Sequence, residues 1–319
     1  MSVPAVRFHD HHPVSTSLRQ AVLRGFSSSP KAIPTKFFYD RRGSELFDAI
    51  CEQPEYYQTR TEMAILRRCA DELAERVAER CQLLELGSGA SRKIRLLLEA
   101  LRPVSYLGID ISRDFLLEST RRLARDYPWL DVHAVWADFS ARLDLPELRG
   151  NEHRLAFFPG SSIGNFEPLE AERLLGHVAR EVGAGGCLLI GVDLKKDPAL
   201  LDAAYNDAQG VTAHFNLNLL ERIRVELGAH IRVENFEHLA FYDASAGRVE
   251  MHLVSQRAQR VRVADRYFHF EAGERIHTEN SYKYTLEEFA RLATRAGFRV
   301  DRTWTDDAQL FSVQLLQVD

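Results

Sequence analysis

Glu85, Gly87 and Gly89 lie in "LLELGSGASRK" (residues 83–93), where an apolar run ends in an acid and turns through Gly-x-Gly into a basic amphipathic segment. That succession predicts a buried strand feeding a helix, a corner where many cofactors bind. The dinucleotide fingerprint requires a third glycine three positions after the second, so that the helix packs closely beneath a pyrophosphate. Arg92 occupies that place. The wider turn suits a ligand that presents an amino acid end to the backbone. Two further acids fall where the rest of an adenosyl group would need them. Asp110 closes the strand of "GIDIS", where a carboxylate can accept both ribose hydroxyls, and Asp138 stands in "ADF" beside Phe139, where it can accept an adenine amino group. Singly, each acid would serve equally well as a loop cap. Their recurrence at the carboxyl edge of successive strands points to one shared ligand.

The elements that must position these residues alternate. Short apolar strands read at "QLLEL", "SYLGID", "DVHAVWAD", "RLAFFPG" and "CLLIGVD", and the segments following the first, second and fourth carry apolar residues every three or four positions. Strand alternating with helix predicts a parallel, doubly wound α/β sheet. After Asp193 the rhythm changes. A helix capped by Asp197 with Pro198 in its first turn precedes a second helical stretch, and then alternating segments around "HLAFYD", "GRVEMHLVSQ" and "YFHFEAGERIHTENSYKY" read as antiparallel hairpins turned at "DASAG" and "EAGE". Thr285 and Glu288 form a capping box for a further helix, after which "FRVDRTW" and "QLFSVQLLQ" follow in close succession. A terminal strand hairpin on a parallel sheet is how the class I S-adenosylmethionine-dependent methyltransferase fold closes. The expected division is a cofactor-binding core of residues 61–196 and 286–319, and a substrate-binding α+β lobe of residues 1–60 and 197–285.

Composition narrows the partners. The net charge is -5 and no segment concentrates Lys and Arg, so the electrostatic footprint of a nucleic-acid binder is missing. "RRLAR" (121–125) reads as a solvated helix face. Cys51, Cys69, Cys81 and Cys187 form no C-x-x-C pair, which argues against a disulfide framework or a structural zinc site. No apolar run reaches the ~18 residues of a membrane span, and the N-terminus shows no basic-then-apolar signal, so a cytoplasmic location is expected. "HDHH" (9–12) could gather a metal ion, but nothing periodic surrounds it, and it reads as a mobile polar lead-in with no metal bound.

From "KFFYDRRGSELFDAICEQPEYYQTRTE" onward the sequence resembles the ergothioneine-pathway histidine Nα-methyltransferases, which trimethylate L-histidine to hercynine. "FYDRRGSELF", "PEYYQTRTE", "LGSGASRK", "FFPGSSIGNF", "AAYNDAQGVTAHFN", "EMHL" and "TENSYKY" carry the likeness, which runs from about residue 30 to the end. The resemblance implies that Gly87, Lys93, Asp110, Asp138 and Phe139 hold S-adenosylmethionine, released as S-adenosyl-L-homocysteine. It further implies that Tyr56, Asn165, Tyr205, Glu279 and Ser281 hold histidine or its mono- and dimethylated forms, with Tyr39, Gly160 and Met251 lining the same pocket. Ala90 and Arg92 vary the glycine loop, and Asn280 lies between the two imidazole-facing residues.

The side-chain chemistry is compatible with that division. Asn165 and Tyr205 offer neutral donors to a carboxylate, while Glu279 and Ser281 can meet the two distinct nitrogens of an imidazole. On composition alone Tyr56, Tyr57 and Tyr205 read equally as half-buried core aromatics, and Glu279 as a solvated face. No strong general base is evident. Tyr39 and Asn165 would orient the amine, with a water near Gly160 carrying protons away. The competing readings are the same fold methylating another amino acid such as tryptophan, distinguished at Met251 and Glu279, and a cofactor-binding regulator without turnover. "GSSIGNF" stands where a base-amine methyltransferase would carry Asn-Pro-Pro-Tyr. A monomer is expected.

Overall fold

The 319-residue chain is described by a computed structural model at residues 6–11, 17–77, 80–89, 93–139, 143, 145 and 153–319. Strand β1 (Arg7–Asp10) is followed by helix α1 (Leu18–Ser27), the short β2 (Lys31–Ala32), α2 (Arg41–Ile50) and α3 (Tyr57–Arg76). Five strands then interleave with helices: β3 (Cys81–Leu86), α4 (Ile94–Leu101), β4 (Ser105–Asp110), α5 (Arg113–Asp126), β5 (Asp131–Trp136), β6 (His153–Phe158), α6 (Pro168–Val182) and β7 (Cys187–Asp193). Beyond them come α7 (Pro198–Ala204), α8 (Val211–Glu226), β8 (Phe236–Asp243), β9 (Arg248–Ser255), β10 (Gln259–Val263), β11 (Arg266–Phe270) and β12 (Arg275–Tyr282). Helix α9 (Leu286–Arg295) and strands β13 (Phe298–Thr305) and β14 (Phe311–Val318) complete the chain.

The chain divides into two compact units. The first contains Met1–Val14, Gln58–Lys195 and Lys283–Asp319. Its sheet runs β1-β5-β4-β3-β6-β7-β14-β13, parallel except where β14 lies antiparallel to both β7 and β13. This is the expected methyltransferase sheet with its terminal hairpin. β3 is buried along its whole length, and the sheet packs with α3, α4 and α5 through Ile65, Leu66, Leu73, Leu83, Leu97, Tyr106 and Leu123. Burying a side chain of this size is worth about 1.5–3 kcal/mol, which holds the strand ends in place.

The second unit contains Ser15–Tyr57 and Lys196–Tyr282. Its sheet runs β2-β12-β9-β8, with α8 contacting β8 and β9. Helix α7 begins as read: the Asp197 carboxylate accepts the Ala199 N–H at 2.9 Å, and Pro198 occupies the first turn. In the first unit, α9 has the Thr285–Glu288 capping box.

Three expectations need correction. The first 60 residues do not all join the second unit, because β1 extends the first unit's sheet by pairing in parallel with β5. For the same reason "HDHH" is not a loose lead-in through residue 11: His9 Nε2 lies 2.9 Å from His133 Nδ1 with the rings stacked, while His12 lies outside the described residues. Nor does "EAGE" turn a hairpin. β11 pairs back onto β10 across Ala264-Asp265, and β12 pairs with β9 instead. Ala264 takes a left-handed φ of 54°, which supplies the tight turn without an Asn-Gly signal. Among the described residues no helix is long and apolar enough to cross a membrane.

Candidate functional site

In the first unit, β3, β4 and β5 bring the three sequence features together. Gly87 and Gly89 both adopt left-handed φ, 70° and 46°. The N–H of Gly87 donates to the Ile109 carbonyl, and that of Gly89 to Asp110 Oδ2 at 3.1 Å. Asp110 Oδ1 accepts the Ser112 N–H at 2.8 Å, so both carboxylate oxygens are fixed by backbone while keeping lone pairs for further donors. Burial pushes the Asp110 carboxyl above its ordinary value, against the lowering pull of the Ser112 and Gly89 amides. Half-buried Asp138 and Phe139 follow β5 directly, and the Phe139 ring packs edge-on against Phe158 and Phe166. A Cβ on Gly87 would stand 3.7 Å from that ring. A glycine turn, a pinned carboxylate and an aromatic face suit a nucleoside joined to an amino acid. Ala90 and Arg92 of the turn lie outside the described residues.

Lys93, at the foot of α4, meets Gly160 through a residue the sequence reading did not single out. Glu62 of α3 is fully buried, pairs with the Lys93 ammonium, and accepts the Gly160 N–H at 3.0 Å on each oxygen. Helical spacing places Glu62 in line with buried Ile65, Leu66, Cys69 and Leu73, so an acid on an apolar stripe was the available signal. Gly160 (φ 75°) and Ser161 (φ 56°) turn the chain after β6 into a 3-10 segment that ends at half-buried Asn165. Ser161 Oγ accepts the Asp193 N–H at 2.9 Å, tying this loop to the end of β7. There Asp193 Oδ2 receives Lys283 Nζ and Gln58 Nε2, both at 2.9 Å, in a fully buried ion pair likewise missed in sequence.

Of the predicted substrate residues, Met251, Glu279 and Ser281 lie on one face of the β12–β9 pair in the second unit, which also holds Tyr56 and Tyr205, whereas Asn165 belongs to the first unit. A register shift between His277 and Glu279 leaves Thr278 as an extra residue, whose hydroxyl lies 2.9 Å from Asn216 Oδ1 and 3.0 Å from the Met251 carbonyl. Without that bulge Glu279 would share the face of His277; with it, Glu279 stands opposite Met251. Ser281, two residues on, shares that face and accepts from Tyr205 Oη at 2.7 Å. Glu279 and Ser281 are 8% and 4% exposed, which removes the solvated-face reading of Glu279.

Tyr205 is held from behind. His238 Nε2 lies 2.9 Å from the Tyr205 carbonyl while its Nδ1 meets Asn216, and Asn206 donates to the Ala240 carbonyl at 3.1 Å. Burial lowers the His238 pKa, which keeps the ring neutral for this one-donor, one-acceptor role.

The Tyr56 ring lies 6.4 Å from Tyr205 and from Phe47, and Tyr39 lies 5.8 Å from Phe47. Burial first, then Tyr205, Cys51, Tyr39 and Glu279, raises the Tyr56 pKa well above that of an ordinary phenol, so it remains a neutral donor. The local fold of "FYDRRGSELF" is dictated by Asp40, which caps α2 by accepting the Gly43 N–H at 2.7 Å. Gly43 is required because a Cβ would stand 1.7 Å from the Phe38 carbonyl oxygen. Phe47 was not predicted; it falls on the half-buried face of α2.

The chain matches the family described as "Histidine-specific methyltransferase, SAM-dependent" over residues 18–318. It is 40% identical over 307 residues to the histidine N-alpha-methyltransferase of Mycolicibacterium smegmatis, covering 94% of each chain. It is 34% identical to ergothioneine biosynthesis protein 1 of Neurospora crassa over 286 residues, 86% of this chain and 32% of that one. Among solved structures, a possible exported protein from Bordetella parapertussis is similar in fold, with a TM-score of 0.50, 16% identity, and coverage of 94% of this chain and 87% of that one.

Proposed function

Since the chain belongs to the S-adenosylmethionine-dependent, histidine-specific methyltransferases, we propose that it methylates the α-amino group of L-histidine three times to give hercynine, in ergothioneine biosynthesis. The observation that carries the substrate is the buried side chain of Glu279 on the same strand face as Ser281, which Tyr205 meets, a polar patch whose donors and acceptors match the two nitrogens of an imidazole. Recognition through hydrogen bonds to the substrate discriminates far more strongly than a missing methylene.

Bound S-adenosylmethionine supplies a methyl group already activated on a sulfonium, so the protein's task is alignment and exclusion of water. Asp110 takes the ribose hydroxyls, Asp138 and Phe139 the adenine, and Gly87 with Lys93 the amino acid end. Asn165 and Tyr205 hold the histidine carboxylate, the Tyr205 hydroxyl turning its single proton from Ser281 to that carboxylate as histidine binds; Glu279 and Ser281 hold the imidazole, and Tyr56, Tyr39, Gly160 and Met251 line the place. Tyr39 and Asn165 orient the amine. That amine reacts unprotonated, and partial desolvation among aromatic rings favours its neutral form, while ring faces tolerate the positive charge that grows with each methyl. The reading makes the enzyme a cytoplasmic monomer acting on a free amino acid and not on nucleic acid, in keeping with its net charge of -5 and four free cysteines.

The test is incubation of the protein with S-adenosylmethionine and either histidine or tryptophan, with the products resolved by mass. Mono-, di- and trimethylated histidine are expected. Methylation of tryptophan with histidine untouched would replace the substrate assignment, and cofactor binding without transfer to either would replace the enzyme by a regulator.

A further inference from the structure

Glu62 is an acid with no exposure, placed by α3 among apolar neighbours. A carboxylate in such a place is stable only when opposite charge and hydrogen-bond donors meet it, and here they come from two loops at the carboxyl ends of different strands. Lys93 arrives just after the β3 turn, with its side chain 16% exposed, and the Gly160 N–H arrives after β6 and is shared by both oxygens. The neighbouring strand is shaped around this acid. A Cβ on Gly191 of β7 would stand 2.1 Å from Glu62 Oε1. Gly160 is constrained by its left-handed φ of 75°, with Lys93 Nζ 3.4 Å from where a Cβ would stand.

We propose that Glu62 is a positioning residue for the amino acid end of S-adenosylmethionine, holding the Lys93 ammonium and the Gly160 amide in place before the cofactor arrives. The inference rests on the assignment of Lys93 to the cofactor. A lysine side chain carries large rotamer freedom, and fixing it in advance removes that cost from binding. An ammonium has three donors; Glu62 engages one and thereby sets the directions of the others. Glu62 reaches the cofactor only through Lys93 and the Gly160 backbone, so its effect is confined to ligands that carry the amino acid group.

The experiment compares binding of S-adenosylhomocysteine with that of 5′-methylthioadenosine, which lacks the amino acid end, by titration calorimetry. Glu62→Gln keeps the shape and an acceptor for Gly160 but removes the charge that fixes Lys93. It is expected to weaken S-adenosylhomocysteine about tenfold and leave 5′-methylthioadenosine unchanged. Lys93→Met should show the same split, and the double variant should bind no more weakly than Lys93→Met alone. Equal losses for both ligands, wild-type affinity in Glu62→Gln, or a further loss in the double variant would each overturn the proposal. If Lys93→Met alone binds S-adenosylhomocysteine as wild type does, the cofactor assignment of Lys93 fails and takes the inference with it. Should Glu62→Gln fail to fold, Gly191→Ala, which crowds the Glu62 carboxylate while keeping its charge, is expected to give the same ligand split, and an undivided loss would count against the proposal.

Discussion

Tyr205 Oη donates to Ser281 Oγ at 2.7 Å, joining the C-cap of α7 to the strand that carries Glu279. The contact fixes the phenol and the hydroxyl as one polar unit on the face shared with Met251. Tyr205→Phe leaves the ring in place and removes the donor. The expected result is a rise of about tenfold in the KM for histidine, from one lost hydrogen bond, with cofactor affinity unaltered. Steady-state kinetics at saturating S-adenosylmethionine measures it. An unchanged KM would show that the pair serves packing alone.

Glu279 is the position where selectivity is expected to reside. Glu279→Gln keeps the volume but replaces a carboxyl by an amide, so kcat/KM for histidine should fall by roughly one to two orders of magnitude. Tryptophan, which lacks the imidazole, should gain relative to histidine. A competition assay with both amino acids in one tube reads the ratio directly, and an unaltered ratio would move selectivity elsewhere.

The Asp193–Lys283 pair governs stability. Both side chains are fully buried, and Gln58 also donates to the same carboxylate oxygen. Lys283→Met leaves a buried charge uncompensated and is expected to cost about 3–5 kcal/mol. Adding Asp193→Asn should recover part of the loss, because the orphaned charge is then gone. Urea unfolding of the single and double variants tests this; a double variant less stable than Lys283→Met would contradict it.

The parts of the fold that could be read in sequence are those set by local pattern. The alternation from β3 to β7, the Asp197 cap and the Thr285–Glu288 box each depend on residues within a few positions of one another. What escaped depends on long-range register. The Thr278 bulge decides which face Glu279 occupies, and nothing adjacent in the chain announces it. β1 is four residues long and gains its place only from β5. Glu62 has partners 31 and 98 residues away, yet two clues were present: its place on the apolar stripe of α3, and Gly191 within the otherwise apolar "CLLIGVD", since an isolated strand glycine marks close approach of another group.

Glu85, at the end of β3, makes stability depend on pH. Its carboxyl is 2% exposed and accepts from Tyr106 Oη at 2.6 Å. Burial raises its pKa from an ordinary 4.5 to about 8, opposed by the Tyr106 hydrogen bond and Lys93 and assisted by Asp110 and Glu62. The folded protein therefore holds a proton that the unfolded chain releases near pH 4.5. The stabilisation is fully present below that value and is lost as pH climbs toward 8, because the unfolded state then binds fewer protons than the native one. Glu85→Gln carries no titrating group. Its stability relative to wild type should rise across this window by up to a few kcal/mol, at about 1.4 kcal/mol per pH unit where only the unfolded form is ionised. Urea midpoints of both proteins between pH 5 and 9 provide the comparison. A constant difference across the range would mean that Glu85 is ionised in the native state throughout, with the Lys93 charge outweighing its burial.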